Sequence, residues 1–206
     1  KKRIYCADNV HEVKNINPYL LDFPTDEVVY PRNSPLSLIP QMDYGIKPVD
    51  GGNLILSKPA KEKFVSDYPQ YSYLIKSFIG SEEYINCIER YCFWIDNDVV
   101  NEVEKIPEIK HRIDKVREMR LKSPDKGANK LALRPYQFRE HPILSECIIV
   151  PRHSSERREY IPIGYLPTGT VVSDSAFAVY DTPKWLFAIL TSKMHMAWVK
   201  TVGGKL

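Results

Sequence analysis

Residues 147–180 read CIIVPRHSSERREYIPIGYLPTGTVVSDSAFAVY, and this stretch decides the fold class. Ile148–Val150, Tyr160–Tyr165, Thr170–Val172 and Ala176–Tyr180 are short runs of β-branched and aromatic residues, separated by Gly and Pro. Residues of that kind fit a pleated, half-buried surface, and the punctuation between the runs marks turns. Upstream, the turn Asp50-Gly51-Gly52 leads into an apolar run at residues 53–56, and Tyr91–Ile95 is a second buried run ended by Asp96-Asn97. Helical signals flank these strands. Residues 59–66 follow Ser57 as a cap, with Pro59 tolerated in the first turn. Within a helical segment at 98–122, Ile109, Ile113, Val116 and Met119 recur at spacings of four, three and three, which predicts an amphipathic helix near 107–122. Pro107 suits a helix start or a break between two helices. Thr182-Pro183 opens a last helix near 183–200, apolar nearly all round and therefore expected to be buried, in a core or at an interface. The class is α+β: short, mostly antiparallel strands with packed helices.

Composition bounds the function. The 206 residues are 43% apolar and 27% charged, ordinary for a soluble globular protein, and no stretch approaches the ~20 apolar residues of a membrane span. The first residues have no apolar stretch of signal-peptide type. Together with the missing initiator Met and the abrupt end at Leu206, they read as a piece of a longer polypeptide. A net charge of +3 permits DNA as a partner without requiring it. The four cysteines form no Cys-x-x-Cys pair; with Cys87 and Cys92 beside apolar residues, all are expected to be buried free thiols of a reducing cytoplasm. The five histidines show no metal-ligand spacing. Residues 105–122 carry seven Lys and Arg against three acids, most simply a solvated helix face.

Catalytic motifs are missing. No Gly-x-Gly turn exists for a dinucleotide or S-adenosylmethionine. Asn17-Pro18-Tyr19 lacks the second proline of an amino-group methyltransferase motif. Pro124-Asp125 has no acid followed two positions later by Lys, as a metal-dependent nuclease requires.

Binding chemistry is present. Arg152, His153, Ser154, Ser155, Arg157 and Arg158 form a polar, arginine-rich link between two apolar strands, and arginine grips phosphates or guanine edges bidentately. The plain structural alternative pairs Arg157 and Arg158 with Glu156 and Glu159. A second cluster, residues 76–84, sets Lys76 and Ser81 around the turn at Gly80, with Arg90 shortly after; its plain reading is a capped turn before a short helix.

These stretches carry a resemblance. Residues 78–86, Arg90–Ile95, Val150–Arg152 with Ser154–Arg158, and Ser192–Val199 are similar to the specificity region of MmeI-type proteins, bacterial single-chain enzymes combining an adenine-N6 DNA methyltransferase, usually a nuclease, and a target recognition domain. Residues 15–20 and 50–57 resemble the segment leading from the methyltransferase into that domain. The resemblance implies a proline-rich linking segment at 1–50 and a target recognition domain at 51–206, truncated on its C-terminal side. It implies duplex DNA and a methyltransferase domain of the same polypeptide as partners. It places S-adenosylmethionine, and Mg²⁺ where the parent cuts DNA, outside this chain. Because the resembling blocks are shared by proteins that read different targets, the arginines are assigned to phosphate gripping rather than base reading. The alternative is a non-catalytic protein–protein or architectural module that docks through the 183–200 helix.

Overall fold

A computed structural model describes residues 1–6, 9–155 and 157–203. It begins with a hairpin of β1 (Lys2–Cys6) and β2 (Asn9–Val13) that pairs with no other strand among the described residues. Residues 14–42 contain no helix or strand, as their prolines dictate. The chain first joins a four-stranded sheet at β3 (Asp43–Tyr44).

One four-stranded sheet follows. It uses β4 (Ile55–Ser57), β5 (Ile75–Ile79) and β6 (Arg90–Phe93), with α1 (Lys58–Asp67) and α2 (Ser81–Asn86) in the connections. The Ser57 hydroxyl caps α1 by accepting the Ala60 N–H at 3.4 Å, and a proline stands in the first turn. The helical segment is two helices, α3 (Val100–Val103) and α4 (Pro107–Lys122), with Pro107 opening the second. Ile109, Ile113 and Val116 are wholly buried, the first two against Leu56, Phe64 and Phe93.

The fourth residue on that buried stripe is Arg120 rather than Met119. Although it belongs by type to the basic face, Arg120 is fully enclosed and donates all five N–H groups to carbonyls: Val49, Leu131, Arg134, Pro48 and Gln137, at 2.7 to 3.4 Å. It ties the chain before the Asp50 turn to α5 (Lys126–Leu131) and the loop beyond.

Strands β7 (Cys147–Pro151), β8 (Gly164–Leu166), β9 (Thr170–Val172) and β10 (Ala176–Tyr180) complete two sheets, ordered β3-β10-β7-β8 and β4-β6-β5-β9. Among the described strands every pairing is antiparallel except β5 with β9. The expected strand at 160–165 is displaced to 164–166. Pro162 has no N–H for a ladder, and the Ile161 N–H points to the Met196 sulfur at 3.3 Å. The chain passes between the sheets at residues 173–175, where Ile46 donates to Val172 O (2.7 Å), Asp174 to Ile46 O (3.1 Å) and Ser173 to Ile79 O (2.9 Å). Gly45 lies so close that a Cβ would run into the Ser173 carbonyl.

Two expectations need correction. The C-terminal helix is two helices, α6 (Lys184–Leu190) and α7 (Lys193–Val202), because Ser192 caps a new start by accepting the His195 N–H at 3.1 Å. Nor is it buried all round: Leu186 and Met196 face the core, whereas Trp185, Met194 and Trp198 are exposed. Cys92 and Cys147 are buried free thiols, but Cys6 and Cys87 are exposed. Cys87 ends α2 in the left-handed region (φ 54°), which turns its side chain out of the apolar run around it.

Candidate nucleic-acid interface

The arginine-rich link is the long connection from β7 to β8. The two strands pair from Cys147↔Leu166 to Ile149↔Gly164, and β7 continues alone beside β10 to Pro151↔Ala176. Residues 152–163 then leave the sheet, and Arg152, His153, Ser154, Ser155, Arg157 and Arg158 are all exposed. Ser155 shapes the tip: its hydroxyl accepts the Arg157 N–H at 3.3 Å and its carbonyl the Arg158 N–H at 3.0 Å. Among the described residues, neither arginine forms an ion pair, and Glu159 forms none. Glu156, the other expected partner, lies outside the described residues.

The root of the connection is fixed to the start of α2, just beyond β5, through Ser81. The Ser81 hydroxyl donates to the Ser175 carbonyl and accepts the Arg152 N–H at 3.3 Å, while the Ser81 N–H donates to Ser175 Oγ at 3.1 Å. Gly80 permits this approach, since a Cβ there would strike Ser175 Oγ. The turn is held from below by Glu83, which accepts the Gly80 N–H at 2.9 Å and pairs with Arg90. Burial opposes ionisation of Glu83, but the Arg90 guanidinium and the N–H groups of Glu83 and Gly80 outweigh it and lower its pKa. Arg90 also lies over the Phe78 ring, its Cζ 5.1 Å from the centroid. The structure thus joins Ser81 and Arg152 directly, with Arg90 one step behind. Lys76 stays apart, half-buried in β5 opposite Cys92, with no hydrogen bond or ion pair to the connection among the described residues.

The Arg152 guanidinium crosses the start of β10. Nη1 donates to the Asp174 carbonyl at 3.3 Å, and Cζ sits 5.1 Å from the ring centroid of exposed Tyr44, which packs at 4.9 Å against Phe177. Nothing local in the sequence singles out Tyr44. Only the register, with Phe177 opposite both Tyr44 and Val150, brings it within reach of Arg152.

The basic face of α4 is partly neutralised within its own helix, by Arg112–Glu108, Arg117–Asp114 and Lys122–Glu118. The two motif fragments serve the fold. Asn17 Oδ1 accepts the N–H groups of Tyr19 and Leu21, and Asp125 caps α5 through the Gly127 N–H at 2.8 Å. Among the described residues no group of three His, Cys, Asp or Glu could hold a metal ion, and no helix is long and apolar enough to cross a membrane.

The DNA methyltransferase A of Bacillus subtilis (strain 168) is 39% identical over all 206 residues, which make up 23% of that protein. The structure of the Type IIL restriction-modification enzyme MmeI in complex with DNA superposes with a TM-score of 0.77 and 34% identity, over 96% of this chain and 26% of that one. The chain therefore spans about a quarter of the length of these relatives. The family profile described as MmeI, target recognition domain, matches residues 24–206, and the chain belongs to that family.

Proposed function

We propose that this target recognition domain grips duplex DNA through the 152–158 connection and holds it in register for an adenine-N6 methyltransferase domain of the same cytoplasmic polypeptide. The observation that carries the reading is an exposed, arginine-rich connection whose root is hydrogen-bonded to the start of α2 and to the segment that passes between the two sheets. A flexible cation attracts DNA; a cation fixed at the seam between the sheets also sets the orientation of the duplex. Arg152, Arg157 and Arg158 hold phosphates, with His153, Ser154 and Ser155 as neutral backbone contacts. Ser81 and Arg90 set the root, and Lys76 adds only distant positive charge. S-adenosylmethionine, and Mg²⁺ where the parent cuts DNA, belong to the remainder of the polypeptide, whose methyltransferase would flip the adenine out of the duplex. The DNA complex of MmeI and the name of the Bacillus subtilis relative support this assignment.

The test is substitution of the tip arginines. The isolated chain is expected to bind duplex DNA in the non-specific range of about 10⁻⁴ to 10⁻⁶ M at physiological salt. Arg157→Ala or Arg158→Ala should weaken binding to all sequences alike and make the log–log salt slope shallower by about one unit. In the full-length polypeptide the methylated sequence should stay the same. Relaxed preference at one base position would make these arginines readers, and unchanged binding would remove them from the interface.

A further inference from the structure

We propose that Tyr44 is a positioning residue for DNA binding: its ring fixes the Arg152 guanidinium in the orientation that meets a phosphate. The inference rests on the DNA-gripping reading of the β7–β8 connection and adds a residue to it from a distant part of the chain. Three observations carry it. Arg152 is exposed, and among the described residues no carboxylate comes within ion-pair distance. Its guanidinium is nevertheless tethered, by the Asp174 carbonyl at 3.3 Å on one nitrogen and by the Tyr44 ring 5.1 Å from Cζ. The ring is itself fixed, because β3 pairs Tyr44 with Phe177 and the two aromatic centroids lie 4.9 Å apart. A tyrosine 63% exposed on a two-residue strand contributes little to a core. As a platform under an exposed arginine it removes rotamer freedom that a phosphate contact would otherwise have to freeze out.

The hydroxyl has no part in this, so the ring face alone matters. Tyr44→Leu keeps apolar contact with Phe177 and removes the π face, whereas Tyr44→Phe keeps both. Stacking of this kind at an exposed site corresponds to about a two- to fivefold change in affinity. Duplex-DNA titration of the 206-residue chain at low salt should show that loss for Tyr44→Leu and none for Tyr44→Phe. In an Arg152→Ala background, Tyr44→Leu should add nothing. NMR relaxation of the Arg152 Nε–H, measured without DNA, should show a looser side chain in Tyr44→Leu only. If Tyr44→Leu alters neither the Arg152 relaxation nor the affinity while Arg152→Ala weakens binding, the positioning role is overturned and the DNA-gripping reading stands. If the two substitutions are additive, the ring touches DNA itself and the role is again wrong. If Arg152→Ala leaves affinity unchanged, the reading of Arg152 falls and this inference with it.

Discussion

Replacing Arg120 with methionine is the most severe single change the fold predicts away from the DNA-facing connection. The guanidinium has 0% exposure and donates five hydrogen bonds, to the carbonyls of Pro48, Val49, Leu131, Arg134 and Gln137. Methionine fills most of the volume and removes the cost of burying a charge, but it donates nothing. Each buried acceptor left without a partner costs about 1–3 kcal/mol. The Leu131 and Arg134 carbonyls keep the backbone N–H groups of Arg134 and Gln137, so Pro48, Val49 and Gln137 carry the loss; with partial relaxation, about 3–5 kcal/mol is the expected destabilisation. With a urea dependence near the upper end of about 1–3 kcal/mol per molar, the unfolding midpoint should fall by about 1–2 M. Arg120→Lys should recover only part of this, because an ammonium has three donors and no planar fork. The assay is equilibrium urea unfolding followed by far-UV circular dichroism. A midpoint within about 0.3 M of the unsubstituted chain for Arg120→Met would refute the reasoning, by showing that the Pro48, Val49 and Gln137 carbonyls are satisfied without the guanidinium.

Two further changes test the root of the connection and the seam between the sheets. The Glu83 carboxyl titrates below its ordinary 4.5 in the fold, so its stabilising contribution is complete above that value and is lost as pH falls through the lower folded value. Glu83→Gln should therefore be less stable at neutral pH and show a flatter loss of urea midpoint as pH falls below 4.5; an unchanged acid limb would exclude Glu83 from the linkage. Gly45→Ala should cost at least about 1–3 kcal/mol in the same unfolding assay, since the added methyl meets the Ser173 backbone rather than a movable side chain; a neutral substitution would mean that the seam between the sheets yields easily.

What the sequence displayed was whatever depends on near neighbours. The period of Ile109, Ile113 and Val116, the cap at Ser57, the start at Pro107 and the strands around Ile149 and Phe177 are all local patterns, and all are present in the structure. Departures arise where a side chain's role is set by distant groups. Arg120 has the chemistry of a surface residue, and only five carbonyls from two remote segments make it an interior one. Residues 183–200 are apolar enough for one helix, yet Ser192 caps a second start inside the run. Cys87 reads as buried from its neighbours and is turned outward by a left-handed residue. The candidate site divides in the same way. Its arginines were visible as a composition anomaly, whereas Ser175 and Tyr44 are joined to them only through strand register.

The β7–β8 connection also has an evolutionary consequence. Its stem is set by three residue pairs and by the neighbouring β10, none of which lies in residues 152–163. Lengthening a surface loop is inexpensive, about 0.6 kcal/mol for each doubling, so insertions and substitutions at the exposed tip, between the Ser81 latch and the core-packed Ile161 and Ile163, leave the strand register untouched. A lineage can therefore rework the tip by small mutational steps, each viable as a folded protein, while the seam beneath it keeps the orientation constant.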